Sequence, residues 1–359
     1  MSARTSSNAS TNAPGGRAMV RDIGSGASLP TTFDVRTAYD FAISLSSDVG
    51  EHDELPAEDR RWLERARASL PESVRQTITE ETCVHGTGLI VDRPEVTDAA
   101  GVVALLERTP GKEFAKVVLG GSLHDTAGQA EVDAALDGDR EATSALLAAW
   151  PDHKQDWLMR LIDDADELVG GVAALMRAWL PLYQEIEPRV REIITRDVDL
   201  RAGDIATLRP AELIERTTNG IRWLSEPGVR RIVLAPSYLV RPYNFTFSGG
   251  DWRMFVYPVA DEATEPHDPL APPQTVLRLH RALGDDTRLR ILRLLKDRDW
   301  YLTEIAERLE LSKPTIKHHL AQLRAAGLVT LTEEGGLSYY SLRRDRLQDA
   351  TAELVRFLT

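Results

Sequence analysis

Basic and hydroxyl side chains are concentrated in one acid-free segment close to the C-terminus. The segment LSKPTIKHHLAQLRAAGLVTLT, residues 311–332, contains no Asp or Glu, although the chain of 359 residues has 56 of them and a formal net charge of −13. Lysine and hydroxyl groups contact the phosphates and base edges of nucleic acids, whereas carboxylates repel phosphates. The chemistry that this segment favours is therefore contact with a polyanion.

The acid-free segment has the pattern of the second helix of a helix–turn–helix. Ser312 is a favoured N-cap residue, and Pro314 is tolerated in a first helical turn. A shorter predicted helix, TEIAERLE with Thr303 as its N-cap, precedes it.

The two sides of this second helix differ in polarity. Ile316, Leu320 and Leu323 share one side and are expected to pack inward. Since a DNA-reading helix presents polar and basic groups to the major groove, we expect the opposite side to face DNA. Its residues are Ser312, Lys313, Thr315, Lys317, His318 and Gln322.

A hairpin is predicted directly after this helix, in the position of a wing. In LVTLTEEGGLSYYSLRR, apolar and polar residues alternate on both sides of the Glu-Gly-Gly turn. Arg343 and Arg344 stand at its base and are expected to contact phosphate. An amphipathic helix, DRLQDATAELVRFLT, is predicted to follow.

These elements together resemble the ArsR-type winged helix–turn–helix transcriptional regulators. The resemblance lies in ALGDDTRLRILRLL at 282–295, in TEIAERLELSKPTIKHHLAQLRAAGLV at 303–329 and in the hairpin ending YYSL, about a quarter of the chain. It implies a homodimer that binds an inverted repeat in double-stranded DNA, with the first and last helices of the module at the dimer interface. By position, it assigns DNA contact to the same six side chains. Through TAYDFAISLSS, the N-terminal part resembles an uncharacterised helical domain that precedes such modules in some bacterial regulators.

Metal sensing is not predicted. Metal-sensing members carry cysteines on the helix before the turn, or histidines with acids on the last helix, and this chain has neither arrangement. His318 and His319 are adjacent, so on a helix they point about 100° apart and form a poor metal pair. Cys83 is the only cysteine, which excludes an intrachain disulfide and fits a reducing compartment. We expect no metal, no cofactor and a location in the bacterial cytoplasm, at the nucleoid.

Composition divides the chain into four predicted segments. They are a disordered tail at 1–30, a helical sensor or dimerisation domain at 31–260, a proline-rich linker at 261–273 and the winged helix–turn–helix at 274–359. Residues 270–359 hold 15 basic and 12 acidic residues, so the acidity of the chain lies in the rest of it. The expected fold class is α+β, mainly α.

The large domain is predicted from helical periodicity. Thr32 is the expected N-cap of its first helix, and apolar residues recur at helical spacing from Leu158 to Ile194. That stripe is either core or the lining of a ligand cavity. The turn SGGD at 248–251 predicts a small antiparallel sheet.

Three functions remain open on the sequence. The first is a sequence-specific DNA-binding transcriptional regulator, expected to be a dimeric repressor that responds to a small-molecule effector. The second is a winged-helix protein-interaction module without DNA binding. Salt distinguishes the two, because the affinity for DNA falls steeply between low and moderate salt. The third, an enzyme with a DNA-binding appendage, lacks GxSxG, HExxH, Walker and Rossmann patterns, so no catalytic residue is predicted. No apolar run of 18 residues occurs, and no membrane partner is expected.

Overall fold

The computed structural model describes residues 29–46, 49, 54–72, 86–122, 128–149, 155–264, 272–334 and 337–359. Nearly all of the predicted tail, Cys83 and the middle of the predicted linker lie outside these residues. None of the described helices is long and apolar enough to cross a lipid bilayer. The α+β, mainly helical class is confirmed.

Helices make up most of the N-terminal region. They are α1 (Thr37–Ile43), α2 (Ala57–Ser69), α3 (Ala99–Arg108), α4 (Gly111–Ser122), α5 (Gln129–Leu136), α6 (Arg140–Ala149), α7 (Gln155–Asp163), α8 (Ala165–Gln184), α9 (Glu187–Leu200), α10 (Ala202–Thr207) and α11 (Pro210–Thr217), with short 3-10 turns at Gly86–Ile90 and Asp261–Ala263.

The long apolar stripe is confirmed as three helices, α7, α8 and α9. Breaks fall at Asp164 and at residues 185–186, while Pro181 is accommodated inside α8. The stripe packs inward, and Trp179 and Tyr183 are among the largest fully buried side chains. Core packing therefore accounts for the periodicity.

The start of the region differs from the prediction that Thr32 caps a helix. Thr31–Phe33 form strand β1, and helix α1 begins at Thr37. Strand β1 pairs with Ile232–Leu234 of a strand about 200 residues away. Long-range pairing thus overrides the local capping signal.

The sheet of the N-terminal region is mixed, and the prediction that it is antiparallel is wrong in part. Its strands are β1, β3 (Arg231–Ser237), β4 (Phe245–Ser248) and β5 (Trp252–Pro258), in the order β1-β3-β5-β4. The β4–β5 hairpin is antiparallel, as the SGGD turn indicates, but β3 is parallel to both β1 and β5. After β3 the chain crosses to the outer edge before it enters the hairpin, so β5 returns in the direction of β3.

Asp40 joins three elements of this core. Its Oδ1 accepts hydrogen bonds from the Ser237 hydroxyl and, at 2.7 and 2.9 Å, from the backbone N–H groups of Tyr238 and Leu239. Its Oδ2 accepts one from the Tyr183 hydroxyl at 2.9 Å. The side chain is fully buried, and this burial raises the pKa of the Asp40 carboxyl.

The C-terminal region contains a helix–turn–helix and a hairpin. Its elements are α12 (Gln274–Leu283), α13 (Asp286–Leu294), β6 (Trp300–Tyr301), α14 (Leu302–Leu309), α15 (Lys313–Ala325), β7 (Val329–Glu334), β8 (Leu337–Leu342) and α16 (Arg344–Leu358). A separate apolar cluster, with Ile305, Ile316 and Leu320 among its buried members, forms its core.

The N-terminal region contributes one strand to the sheet of the wing. Strand β2 (Ile221–Arg222) runs parallel to β7, and the sheet order is β2-β7-β8-β6. The Leu331 N–H donates to the Gly220 carbonyl at 2.8 Å. Gly220 has φ +117°, and a Cβ there would lie 3.0 Å from the Val329 carbonyl oxygen. The two regions are therefore hydrogen-bonded through this strand.

A pair of substitutions tests the role of Asp40. Asp40→Ala leaves buried donors unpaired and is expected to lower the free energy of unfolding by about 3 kcal/mol. Asp40→Asn keeps the oxygen that three of the donors share and is expected to cost about 1 kcal/mol or less. Denaturant midpoints of the full chain, followed by tryptophan fluorescence, measure both values. Equal losses in the two variants would contradict this role.

Candidate nucleic-acid interface

The turn between α14 and α15 fixes the angle between the two helices. Helix α14 begins at Leu302, and the Glu304 carboxylate accepts the Tyr301 N–H at 3.0 Å. The prediction that Thr303 is the N-cap is wrong: the N-cap is Tyr301, two residues earlier, and Glu304 accepts its N–H. Helix α14 ends at Leu309, and the next residue, Glu310, has a left-handed φ of 57°. The Leu311 N–H donates to the Ala306 carbonyl at 3.1 Å.

The start of α15 is capped as the sequence predicts. The Ser312 hydroxyl accepts the Thr315 N–H at 3.2 Å and lies 2.7 Å from the Thr315 hydroxyl. Pro314 falls in the first turn, where a missing N–H costs no helical bond. On the inner side, Ile316, Leu320 and Leu323 are fully buried. That packing holds the opposite side of α15 outward.

The outer side of α15 is open over its N-terminal half. Lys313 and Lys317 are exposed, and neither forms an ion pair with any residue in the described part of the chain. Ser312, Thr315 and His318 are exposed as well. The structure thus leaves these five sequence-predicted residues exposed on the N-terminal half of α15, a helix without acids.

Gln322, one helical turn beyond His318, is half-buried and fixed by its neighbours. Its amide nitrogen lies 2.9 Å from His318 Nε2, and its amide oxygen accepts from the Arg288 guanidinium. Arg288 also donates to the Ala282 and Arg281 carbonyls at 2.9 and 2.6 Å. The chain of contacts Arg288–Gln322–His318 therefore orients the His318 ring. Sequence reasoning missed Arg288, because no local signal links positions 34 residues apart.

His319 points away from the open surface. Its Nδ1 lies 3.8 Å from the Asp285 carboxylate at the start of α13. Burial lowers the pKa of His319, although the Asp285 charge acts in the opposite direction. His319 therefore packs between α15 and the start of α13.

The two arginines at the base of the wing lie in different surroundings. The Arg344 side chain is exposed, and its guanidinium donates to the Lys296 carbonyl. Arg343 is half-buried, with Nη1 3.5 Å from the Asn219 Oδ1 of the N-terminal region. Of the two, Arg344 is the one presented to solvent.

The described residues contain no group of three or more His, Cys, Asp or Glu side chains arranged to hold a metal ion. On the last helix, Glu353 is paired with Arg346 at 2.8 Å.

The arrangement around α15 offers hydrogen-bond donors and positive charge, which is the chemistry of phosphate and base contact.

Comparison with known proteins finds relatives of this part of the chain. Residues 285–330 match the family model described as bacterial regulatory protein, arsR family. The transcriptional repressor SdpR of Bacillus subtilis is 40% identical over 78 residues, which cover 22% of this chain and 87% of that protein. The HTH-type transcriptional regulator CmtR of Mycobacterium bovis is 43% identical over 79 residues, 22% of this chain and 67% of that protein. The transcriptional activator HlyU of Vibrio cholerae is 39% identical over 64 residues, 18% of this chain and 59% of that protein.

Two substitutions at Ser312 test the cap on α15. Ser312→Ala removes the acceptor for the Thr315 N–H and is expected to destabilise the helix by about 1 kcal/mol. Ser312→Asp keeps an acceptor and adds a charge that the helix N-terminus favours, so little loss is expected. Hydrogen exchange of a peptide covering residues 311–326 measures the opening of α15. If Ser312→Ala exchanges as slowly as the unmodified chain, Ser312 does not cap the helix.

Proposed function

The chain belongs to the arsR family of bacterial regulatory proteins, and we propose that it represses transcription as a homodimer bound to an inverted repeat in duplex DNA. It is a DNA-binding transcriptional regulator. The observation that carries the proposal is the exposed, acid-free N-terminal half of α15, with two lysines that have no ion-pair partner among the described residues. We further propose that it works in the bacterial cytoplasm, at the nucleoid.

Each outer residue of α15 has a proposed task. Lys313, at the first helical position, contacts phosphate. Arg344 does the same, as does Arg343, which lies nearer the N-terminal region. Lys317 and His318 contact base edges. Gln322 holds the His318 ring in place and also contacts a base in the major groove. The hydroxyls of Ser312 and Thr315 donate to phosphate or bases at the helix start.

Dimerisation is proposed through the first and last helices of the module. Helices α12 and α16 pack against each other. On α16, Val355 and Leu358 have exposed fractions of 50% and 70%. Large apolar side chains at this exposure favour burial against a second copy. Two copies related by a two-fold axis present two α15 helices, which matches an inverted repeat.

The proposed effect on transcription is repression, as the name of SdpR states for that protein. The name of HlyU states activation for that protein, so the fold alone does not set the direction. A winged-helix module that binds another protein instead of DNA is the competing function. We assign no catalytic role to the described residues of either region.

Selection of bound fragments from random duplex DNA, with the full chain, tests the proposal. A homodimer is expected to enrich a two-fold symmetric consensus whose half-sites are spaced by one helical turn of DNA. Enrichment of an asymmetric sequence would contradict the homodimer, and no enrichment at all would favour the protein-interaction module.

Lys317→Ala is expected to weaken binding to the selected duplex by roughly 1–3 kcal/mol and to relax specificity at one base pair. Lys116→Ala is the matched control, since Lys116 is an exposed lysine of the N-terminal region paired with Asp133 at 2.8 Å. A gel-shift series measures both variants. Equal binding by the Lys317 and Lys116 variants would remove Lys317 from the interface.

A further inference from the structure

A cavity of about 220 Å³ lies where the N-terminal region meets the winged helix. One wall comes from residues 216–219, 241–242 and 258–262. The other wall comes from α12, from the end of α15 at residues 324–326 and from Arg346 of α16. The cavity therefore lies between the N-terminal region and the far end of the helix that carries the DNA-facing residues.

Guanidinium groups dominate the lining. Six of the lining residues are arginines and two are acids, Asp261 and Glu262. The arginines come from both regions: Arg201, Arg216, Arg241, Arg278, Arg324 and Arg346. Arginine side chains are therefore concentrated at this site, in a chain whose net charge is −13.

The acids that pair with several of these arginines do not line the cavity. Arg201 is paired with Asp197 at 2.9 Å, Arg216 with Asp204 at 2.8 Å. Neither acid belongs to the cavity wall, and the same holds for Glu353, the partner of Arg346. A guanidinium has five N–H donors, and a single carboxylate does not use all of them. The remaining donors can bind a second acceptor. Arg241 and Arg278 are paired with Asp261, an acid that does line the cavity. Carboxylates outside and inside the lining therefore hold these arginines in place.

Two further polar residues belong to the wall. Thr217 is buried, and its hydroxyl oxygen has neither a hydrogen-bond partner within the described part of the chain nor surface open to the cavity. Asn219, beside it, already donates to the Ala325 carbonyl at 2.8 Å and so connects this wall to the end of α15.

We propose that this cavity binds a small dianion, a dicarboxylate or a phosphate monoester, and that this dianion is the effector of the regulator. Ligand pockets for larger organic molecules have volumes of about 300–1,000 Å³, so this cavity selects a compact ligand. The two anionic groups of such a ligand bind arginines on opposite walls. Hydrogen bonds between a guanidinium and an anion are charge-assisted and can be bidentate, which makes them strong. A ligand that contacts both walls changes the distance between them. This change also alters the position of α15 relative to the N-terminal region. The regulatory part rests on the proposed function, whereas anion binding does not.

Calorimetric titration of the full chain with inorganic phosphate, succinate and glycerol 3-phosphate tests the site without DNA. At least one of these probes is expected to bind saturably. Arg216→Gln and Arg346→Gln, which alter the more exposed lining arginines, are expected to weaken that binding about tenfold. Arg209→Gln is the matched control, since Arg209 is an exposed arginine paired with Glu212 outside the cavity. It should leave the affinity unchanged.

The absence of saturable binding by all three probes would overturn the site, as would equal weakening by the control variant. Addition of the bound probe is also expected to change the affinity of the chain for its selected duplex by at least about tenfold, the scale of a typical allosteric coupling. Anion binding that leaves duplex affinity unchanged would overturn the effector role. Anion binding by a chain that binds no duplex would instead overturn the proposed function and leave the site intact.

Discussion

One electrostatic property of α15 underlies its proposed role: the helix has no carboxylate that would repel the phosphates of DNA. This chain is acidic overall, yet 22 consecutive residues around α15 contain no acid. The inner side of α15 is buried in an apolar core, and its N-terminal half is open. Packing thus directs Lys313 and Lys317 outward, and neither forms an ion pair with a described residue.

The two regions of the chain share a continuous set of contacts instead of a free hinge. Strand β2 extends the sheet of the wing, Asn219 bonds to the end of α15, and Arg278 of α12 pairs with Glu54 at 2.7 Å. The Asn219 contact is at Ala325, the last residue of α15, whereas Lys313 is the first. The N-terminal region therefore contacts α15 at its C-terminal end, while Lys313 and Lys317 stay exposed.

Local patterns predicted much of this fold, and contacts between distant residues account for what they did not predict. The inner side of α15 follows from four-residue spacing, and the hairpin at 248–251 follows from its turn residues, because both signals act over a few positions. Strand β2 has two residues and pairs with a strand 110 positions later, so it has no periodicity to detect. Likewise, the half-buried position of Gln322 depends on Arg288, which lies on another helix.

The salt dependence of duplex binding tests the central claim most directly. Fluorescence anisotropy of a labelled duplex, titrated with the full chain at increasing salt, gives the slope of log affinity against log salt concentration. If Lys313 and Arg344 of two subunits each neutralise one phosphate, the slope is expected to be about −3.6 or steeper. A slope near zero, or the absence of binding in dilute buffer, would contradict the claim that α15 reads duplex DNA.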